Sequence, residues 1–300
     1  MGLISRVLGH PSKRQMDPSW VAHIEQRYDL DAGYAAYHEY CREHTAQTPA
    51  AKASPVQEIG YEHLRVTSED TARDIGREVQ ARFEAHPKVE KSKHLTLFDI
   101  DAPEFERSML ERILTPAVDE AIVRSFGSAY FVYWYHVSRS VPILELGLNS
   151  FRWHCDRGPQ SHVKLLFCLN DWKEHGGGTT FLDLETTKKI AQSGYVFAPV
   201  KTRVADLGPI ARDCGASYTP WLPEMKAGEG ILFRPSGVLH RGMISTHGPR
   251  HVVTLCLLPS PVSWREAHAR GVGLRSRSDP KWHENAAHIR DALAPGDPLS

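Results

Sequence analysis

In the segment RWHCDRG, His154 and Asp156 stand two residues apart. Successive side chains on an extended strand point to opposite faces, so both would project from one face while Cys155 points away. An imidazole and a carboxylate converging in this way are two of the three protein ligands that divalent iron takes when half of its octahedron stays open; a second, distant His completes the set. The best candidate is His240 in FRPSGVLHRGM, preceded by a strand-like apolar run and followed by the turn-rich STHGP. Ten residues beyond it, Arg250 opens RHVVTLCLL on what should be the neighbouring antiparallel strand. A planar guanidinium grips a carboxylate through two parallel hydrogen bonds, which suits the far end of 2-oxoglutarate while its keto-acid end chelates iron.

Each of these residues also has a plain structural reading. Seventeen histidines make a chance His-x-Asp unremarkable, a His before a turn is commonly structural, and a single Arg is usually a solvated charge. Their joint order argues otherwise: a His-x-Asp, then the Gly-rich turn with TTFL, then the GEGILF run, then His and Arg.

Positioning these groups requires strands. Beyond residue 128 the chain breaks into short runs rich in aromatic and β-branched residues, YFVYWYHV, HVKLLFCLN, TTFLDL, GILFRP and RHVVTLCLL, punctuated by Gly and Pro. Such spacing predicts an antiparallel sandwich or barrel. Upstream, residues 17–44 read as a helical lead-in and TAQTPAAKASPVQE as a linker; Gly60 to Val66 alternates like a strand, and Thr67 with Asp70 has capping-box spacing for a helix through Phe83. The expected organisation is a helical extension and linker over 1–59, a β domain over 60–260 with a lid-like insertion at about 186–225, and a basic loop and helix over 261–300.

With these residues in place, the chain resembles the iron and 2-oxoglutarate dependent dioxygenases, especially the phytanoyl-CoA and prolyl hydroxylase-like branches. The resemblance covers roughly 60–260 and is carried by WHCD at 153–156, GGGTTFL at 176–182, AGEGILF at 227–233, LHRG, and GPR ending at Arg250. It implies a fold that is mainly β with flanking helices around a double-stranded β-helix, the jelly-roll or cupin-like core. It also implies His154, Asp156 and His240 as Fe(II) ligands, Arg250 as the anchor of the cosubstrate 2-oxoglutarate, and O2 as oxidant, with ascorbate as a supporting reductant. Plant-type members often place Ser two residues after that Arg, where this chain has Val252, so a hydroxyl contact must come from elsewhere: Thr180, Tyr135 and Tyr133 are candidates. Related halogenases replace the carboxylate ligand by a small residue, and Asp156 therefore points to hydroxylation.

For a substrate, Trp153, Trp172 and Trp221 either line a pocket or belong to the core. Arg152, Arg157, Lys164, Arg234 and Arg241 flank the motifs and either bind an anionic small molecule or are strand-end surface charges. Lys plus Arg equals Asp plus Glu, so no net field gathers nucleic acid. No apolar stretch has membrane length, and the expected location is cytoplasmic. Five cysteines without a C-x-x-C pair read as free thiols. Two other readings share these residues, a cupin-type metal enzyme or metal-binding module without cosubstrate, and a protein or peptide hydroxylase. Oligomeric state is not written in the sequence.

Overall fold

Alternation along the strands sorts the side chains into layers. In β9 (Arg250–Ser260), Val253, Leu255 and Leu257 join one apolar cluster while Cys256 and Leu258 join another. In β7 (Glu229–Phe233), Leu232 belongs to the first cluster, and Ile231 and Phe233 face the opposite way. A strand carrying apolar residues on both faces is buried on both.

The structure, a computed structural model, describes residues 33–47, 52–85, 89–92, 95–98, 102–143, 149–156, 161–195, 197–198, 200–276 and 286–294. The remaining strands are β1 (Tyr61–Arg65), β2 (Val89–Ser92), β3 (Leu95–Phe98), β4 (Ala129–Ser140), β5 (Val163–Cys168), β6 (Gly178–Phe181), β8 (His240–Met243) and β10 (Arg275–Ser276). The larger sheet runs β1-β7-β5-β9-β4-β3-β2 with β10 beside β4, and all its pairings except β10–β4 are antiparallel. A smaller sheet pairs β6 with β8. Bridges from His154 to His240 and from Phe181 to Trp221 extend it on both sides. From β4 to β9 the chain thus visits the larger sheet, the smaller, the larger, the smaller twice, then larger, smaller and larger again. That alternation is the double-stranded β-helix expected from the sequence, with two facing sheets that do not close on one another.

Helices cover the outer face of the larger sheet. They are α3 (Glu69–Ala85), α4 (Pro103–Ile113) and α5 (Pro116–Phe126), which bury Ala72, Ile75, Val79 and Phe83, then Phe105, Met109 and Ile113, then Val118, Ile122 and Phe126. These spacings of three and four residues make one apolar stripe per helix. The cap of α3 differs from the expected Thr67 and Asp70 pair: Ser68 Oγ accepts the Thr71 N–H at 3.1 Å. A one-residue shift costs nothing because Ser and Thr are both good N-caps. Gly228, at φ +84°, opens β7 where a Cβ would meet the Thr67 carbonyl oxygen at 2.6 Å.

The first and last described helices are part of the core. α1 (Gly33–His44), the described part of the expected lead-in, whose residues 17–32 lie outside the described residues, packs Tyr34, Tyr37 and Cys41 with Phe131, Tyr133 and Trp134 of β4. Cys256 and Leu258, with Ala267 of α9 (Trp264–Ala269) and Ile289 and Leu293 of α10 (Ala286–Leu293), complete that cluster. A short α2 (Pro55–Glu58) interrupts the expected linker. All five cysteines are free thiols. No helix among the described residues is long and apolar enough to cross a membrane.

Burial, followed by the neighbouring Arg250, pushes His175 down to about 4; burial, followed by Arg139, does the same for His251. Both rings stay neutral in the folded chain, while the unfolded chain takes up their protons below the ordinary value of about 6.5. Stability is therefore expected to fall between pH 6.5 and pH 4, by up to about 3 kcal/mol for fully buried His175. Urea unfolding at pH 7 and pH 4.5 measures the loss. It should be smaller in His175→Gln, and an equal pH dependence in the two proteins contradicts the assignment.

Candidate metal centre

The backbone brings the two histidines together directly. His154 N–H donates to the His240 carbonyl at 3.0 Å and His240 N–H to the His154 carbonyl at 2.9 Å. Asp156 N–H donates to the Pro235 carbonyl at 2.7 Å. The two imidazole centroids lie 4.5 Å apart. Asp156 Oδ1 is 3.5 Å from His154 Nε2, and its Oδ2 is 3.7 Å from His240 Nε2. One donor atom from each of the three residues falls within 4.8 Å of the others.

The tautomers suit a cation. His154 Nδ1 is 2.7 Å from the Arg152 carbonyl and His240 Nδ1 is 3.0 Å from the Val238 carbonyl. A carbonyl only accepts, so each Nδ1 carries the proton and each Nε2 lone pair turns inward, the arrangement by which outer partners orient metal-binding histidines. Burial, with His240 beside it, pushes His154 below the ordinary histidine value despite the opposing Asp156. Burial would raise Asp156, but the Lys164 ammonium and the two histidines outweigh it and hold the carboxyl well below the usual carboxylate range. Two imidazole Nε2 atoms and one carboxylate therefore converge, and this donor set fits a divalent transition metal. Phe233 and Phe181 wall the site, with centroids 5.1 and 6.3 Å from the His240 ring.

Arg250 faces the same interior from β9. Its Nη1 donates to the Gly178 carbonyl at 3.2 Å and its Nη2 to Thr179 Oγ1 at 3.4 Å, while its buried Nε–H has no hydrogen-bond partner among the described residues. Phe181 is opposite His240 and Gly178 opposite Met243 in the β6–β8 register. At about 3.3 Å per residue, the guanidinium contacts lie roughly 7–10 Å along β6 from the histidine pair.

No family model matches the chain, and no curated protein matches it. Several solved structures are similar to it. The α-ketoglutarate dependent carbocyclase SnoK from nogalamycin biosynthesis is 13% identical over 76% of this chain and 92% of its own, with a TM-score of 0.48. EctD from S. alaskensis, solved with 2-oxoglutarate and 5-hydroxyectoine, is 13% identical over 72% of this chain and 80% of its own, with a TM-score of 0.47. HygX from Streptomyces hygroscopicus, with nickel, 2-oxoglutarate and hygromycin B bound, is 15% identical over 78% and 96% of the two chains, with a TM-score of 0.42.

Other sequence candidates fall elsewhere. Tyr135 donates its hydroxyl to Glu106 of α4 at 2.7 Å, on the helix side of the sheet. A bulge between Val132 and Trp134 puts Tyr133 and Trp134 together in the inner cluster and sends Tyr135 to the outer one. Simple alternation, which assigns Tyr133 and Tyr135 to one face, cannot anticipate the extra residue. Thr180 is also displaced. The hydroxyl beside Arg250 belongs to Thr179, which shares a face with Phe181, and Thr180 alternates away from it.

The face behind the triad collects the rest. Trp153 is fully buried in a cluster with Cys155, Leu182 and Leu239, packed by Ile190 of α7 (Leu184–Gln192), by Leu207, and by Ala211 of α8 (Gly208–Asp213). Trp153 N–H donates to the Val204 carbonyl at 3.0 Å, and Tyr195 Oη donates to the Trp153 carbonyl at 2.8 Å. Arg152 donates to the Arg203 carbonyl, Arg241 to the Ala205 carbonyl, and the Arg241 guanidinium lies 5.2 Å from the Trp153 ring. Trp153, Arg152 and Arg241 thus contact the 186–225 insertion or one another. The insertion expected as a lid buttresses the strand that carries the triad. Trp221 stacks on Tyr61 at 4.8 Å in the smaller-sheet wall, and Arg157 lies outside the described residues.

The consequence is testable. Trp153→Ala is expected to cost about 3–5 kcal/mol of stability, as large buried aromatics do. Any protein that remains folded should hold metal ligands in the same order, because the ring faces away from them. Chemical denaturation reads the first, and a loss confined to substrate affinity without loss of stability contradicts this placement.

The residue the sequence undervalued is Lys164. It was one of several flanking cations, yet its Nζ lies 2.6 Å from Asp156 Oδ2. Alternation in HVKLLFCLN places it on the inner face, so the signal was present, but its partner was not visible.

Proposed function

We propose that this chain is a non-haem iron(II) oxygenase that uses 2-oxoglutarate to hydroxylate an unactivated carbon of a small molecule. The observation that carries the reading is the inward-turned pair of Nε2 atoms with one oxygen of the Asp156 carboxylate near each, together with a half-buried Arg250 on the same interior. In this reading His154, Asp156 and His240 hold the metal on one face, and Arg250 with Thr179 holds the far carboxylate of 2-oxoglutarate. The bound metal and cosubstrate supply the oxidation, in which dioxygen and 2-oxoglutarate give succinate, carbon dioxide and the hydroxylated product.

The protein's part is orientation and exclusion. The paired backbones of His154 and His240 fix both rings, and the carbonyls of Arg152 and Val238 keep both Nδ1 protons in place. Phe181 and Phe233 keep water from the inner side of His240. Arg250 orients the cosubstrate by its charge and by its spare Nε–H. A small-molecule substrate is favoured because α1 and the C-terminal helices already occupy much of the inner face of β4 and β9.

Anaerobic titration of the iron(II)-loaded protein with 2-oxoglutarate tests the reading. A visible metal-to-ligand charge-transfer band is expected, followed by succinate release in a substrate screen. An iron-loaded protein that gives no band would favour a metal-binding jelly roll without cosubstrate, and a band with turnover only on peptides would replace the small-molecule substrate by a protein.

A further inference from the structure

Among the described residues, the carboxylate of Asp156 has one full cation against it, Lys164. Lys164, on the inner face of β5 and in register with Cys256 and Phe233, crosses the interior from the larger sheet to reach Asp156 Oδ2. Its side chain is 16% exposed, that of Asp156 is 25% exposed, and Nζ lies 5.0 Å from the centroid of the Trp134 ring. The histidines that share the carboxylate each direct an Nδ1 proton at a backbone carbonyl, away from it. A largely buried carboxylate left alone beside two such rings would be strongly unfavourable, and removing one partner of such a pair exposes that penalty.

We propose that Lys164 is an internal counter-ion that stands in for the metal: it compensates Asp156 in the metal-free protein and, by competing for the same carboxylate, weakens metal binding. This rests on the reading of the triad as a metal site. Two effects act in the same direction. The metal-free state gains a charge pair that the metal must share, and an ammonium beside the carboxylate repels the incoming dication. Without Lys164 the metal-free protein loses its compensation and the metal meets no competitor, so affinity rises as the metal-free fold weakens. A residue that merely positioned Asp156 would have the opposite signature, since a loosened ligand binds metal less tightly.

The experiment is calorimetric titration with nickel(II), which needs no reductant, on wild type, Lys164→Met, Lys164→Arg and Asp156→Ala, with thermal unfolding of each in chelator and in excess nickel. Lys164→Met is expected to bind nickel at least tenfold more tightly than wild type and to unfold at lower temperature in chelator. Its gain in midpoint on adding nickel should exceed that of wild type, and Lys164→Arg should stay near wild type. Equal or weaker nickel binding by Lys164→Met, with wild type binding and Asp156→Ala not, overturns the counter-ion role and leaves the metal site standing. A wild type that binds no nickel overturns the metal reading and this inference with it. If Lys164→Met does not fold, the metal-free double variant Asp156→Asn/Lys164→Met decides. Recovery of folding is expected when both charges are removed, and failure to recover overturns the pairing.

Discussion

Asp156→Ala is expected to abolish the 2-oxoglutarate charge-transfer band and to weaken divalent metal binding by at least about 100-fold, equivalent to roughly 3 kcal/mol. The carboxylate is the only anionic donor in the triad, so the loss removes both a ligand and the charge that attracts a dication. The side chain is small and packs little, and the backbone pairing of Asp156 with Pro235 does not depend on it. The fold should therefore persist, while Lys164 loses its partner. Because both side chains keep some solvent access, that loss is expected to cost about 1–3 kcal/mol rather than the full penalty of a buried pair. Metal titration and chemical denaturation separate the two effects. Retention of the band in a folded Asp156→Ala protein would falsify the ligand assignment.

Arg250→Ala is expected to raise the 2-oxoglutarate concentration for half-saturation of the band by about 100-fold, close to 3 kcal/mol, the worth of one or two hydrogen bonds to a charged partner. Its contacts lie along β6 from the triad, so metal affinity without cosubstrate should stay within about threefold of wild type. Such a split, cosubstrate lost and metal kept, distinguishes a carboxylate anchor from a general electrostatic role. Arg250→Lys should fall between the two proteins, since it keeps the charge and loses the fork. Thr179→Val should raise the requirement several-fold and Thr180→Val should leave it unchanged, since only Thr179 Oγ1 contacts Arg250. Unaltered half-saturation in Arg250→Ala would exclude it from cosubstrate binding.

The sequence by itself determined the strand pattern and the local chemistry of the triad. The alternation in GILFRP and RHVVTLCLL depends only on which side chains avoid water, and the structure has β7 and β9 there. His154 and Asp156 share a face because they are two apart on extended backbone, a property of the chain that no partner alters. The Tyr61–Arg65 strand and the helix ending at Leu293 were legible for similar reasons, as in principle were α4 from the spacing of Phe105, Met109 and Ile113 and α5 from that of Val118, Ile122 and Phe126.

Tertiary structure decided what each side chain meets. Tyr135 left the interior because one bulged residue in β4 reversed the alternation after it. Trp153 and Arg241 adjoin the motif in sequence yet face the insertion, since a strand neighbour of an inward residue points outward, and Arg152, two residues before His154, also reaches the insertion through the Arg203 carbonyl. Lys164 and Asp156 meet across the interior at 2.6 Å, and that contact depends on two sheets packing face to face. Local backbone periodicity sets which face a residue takes, and a sequence records it; the partner on the far side comes from another segment of chain, and only packing brings it there.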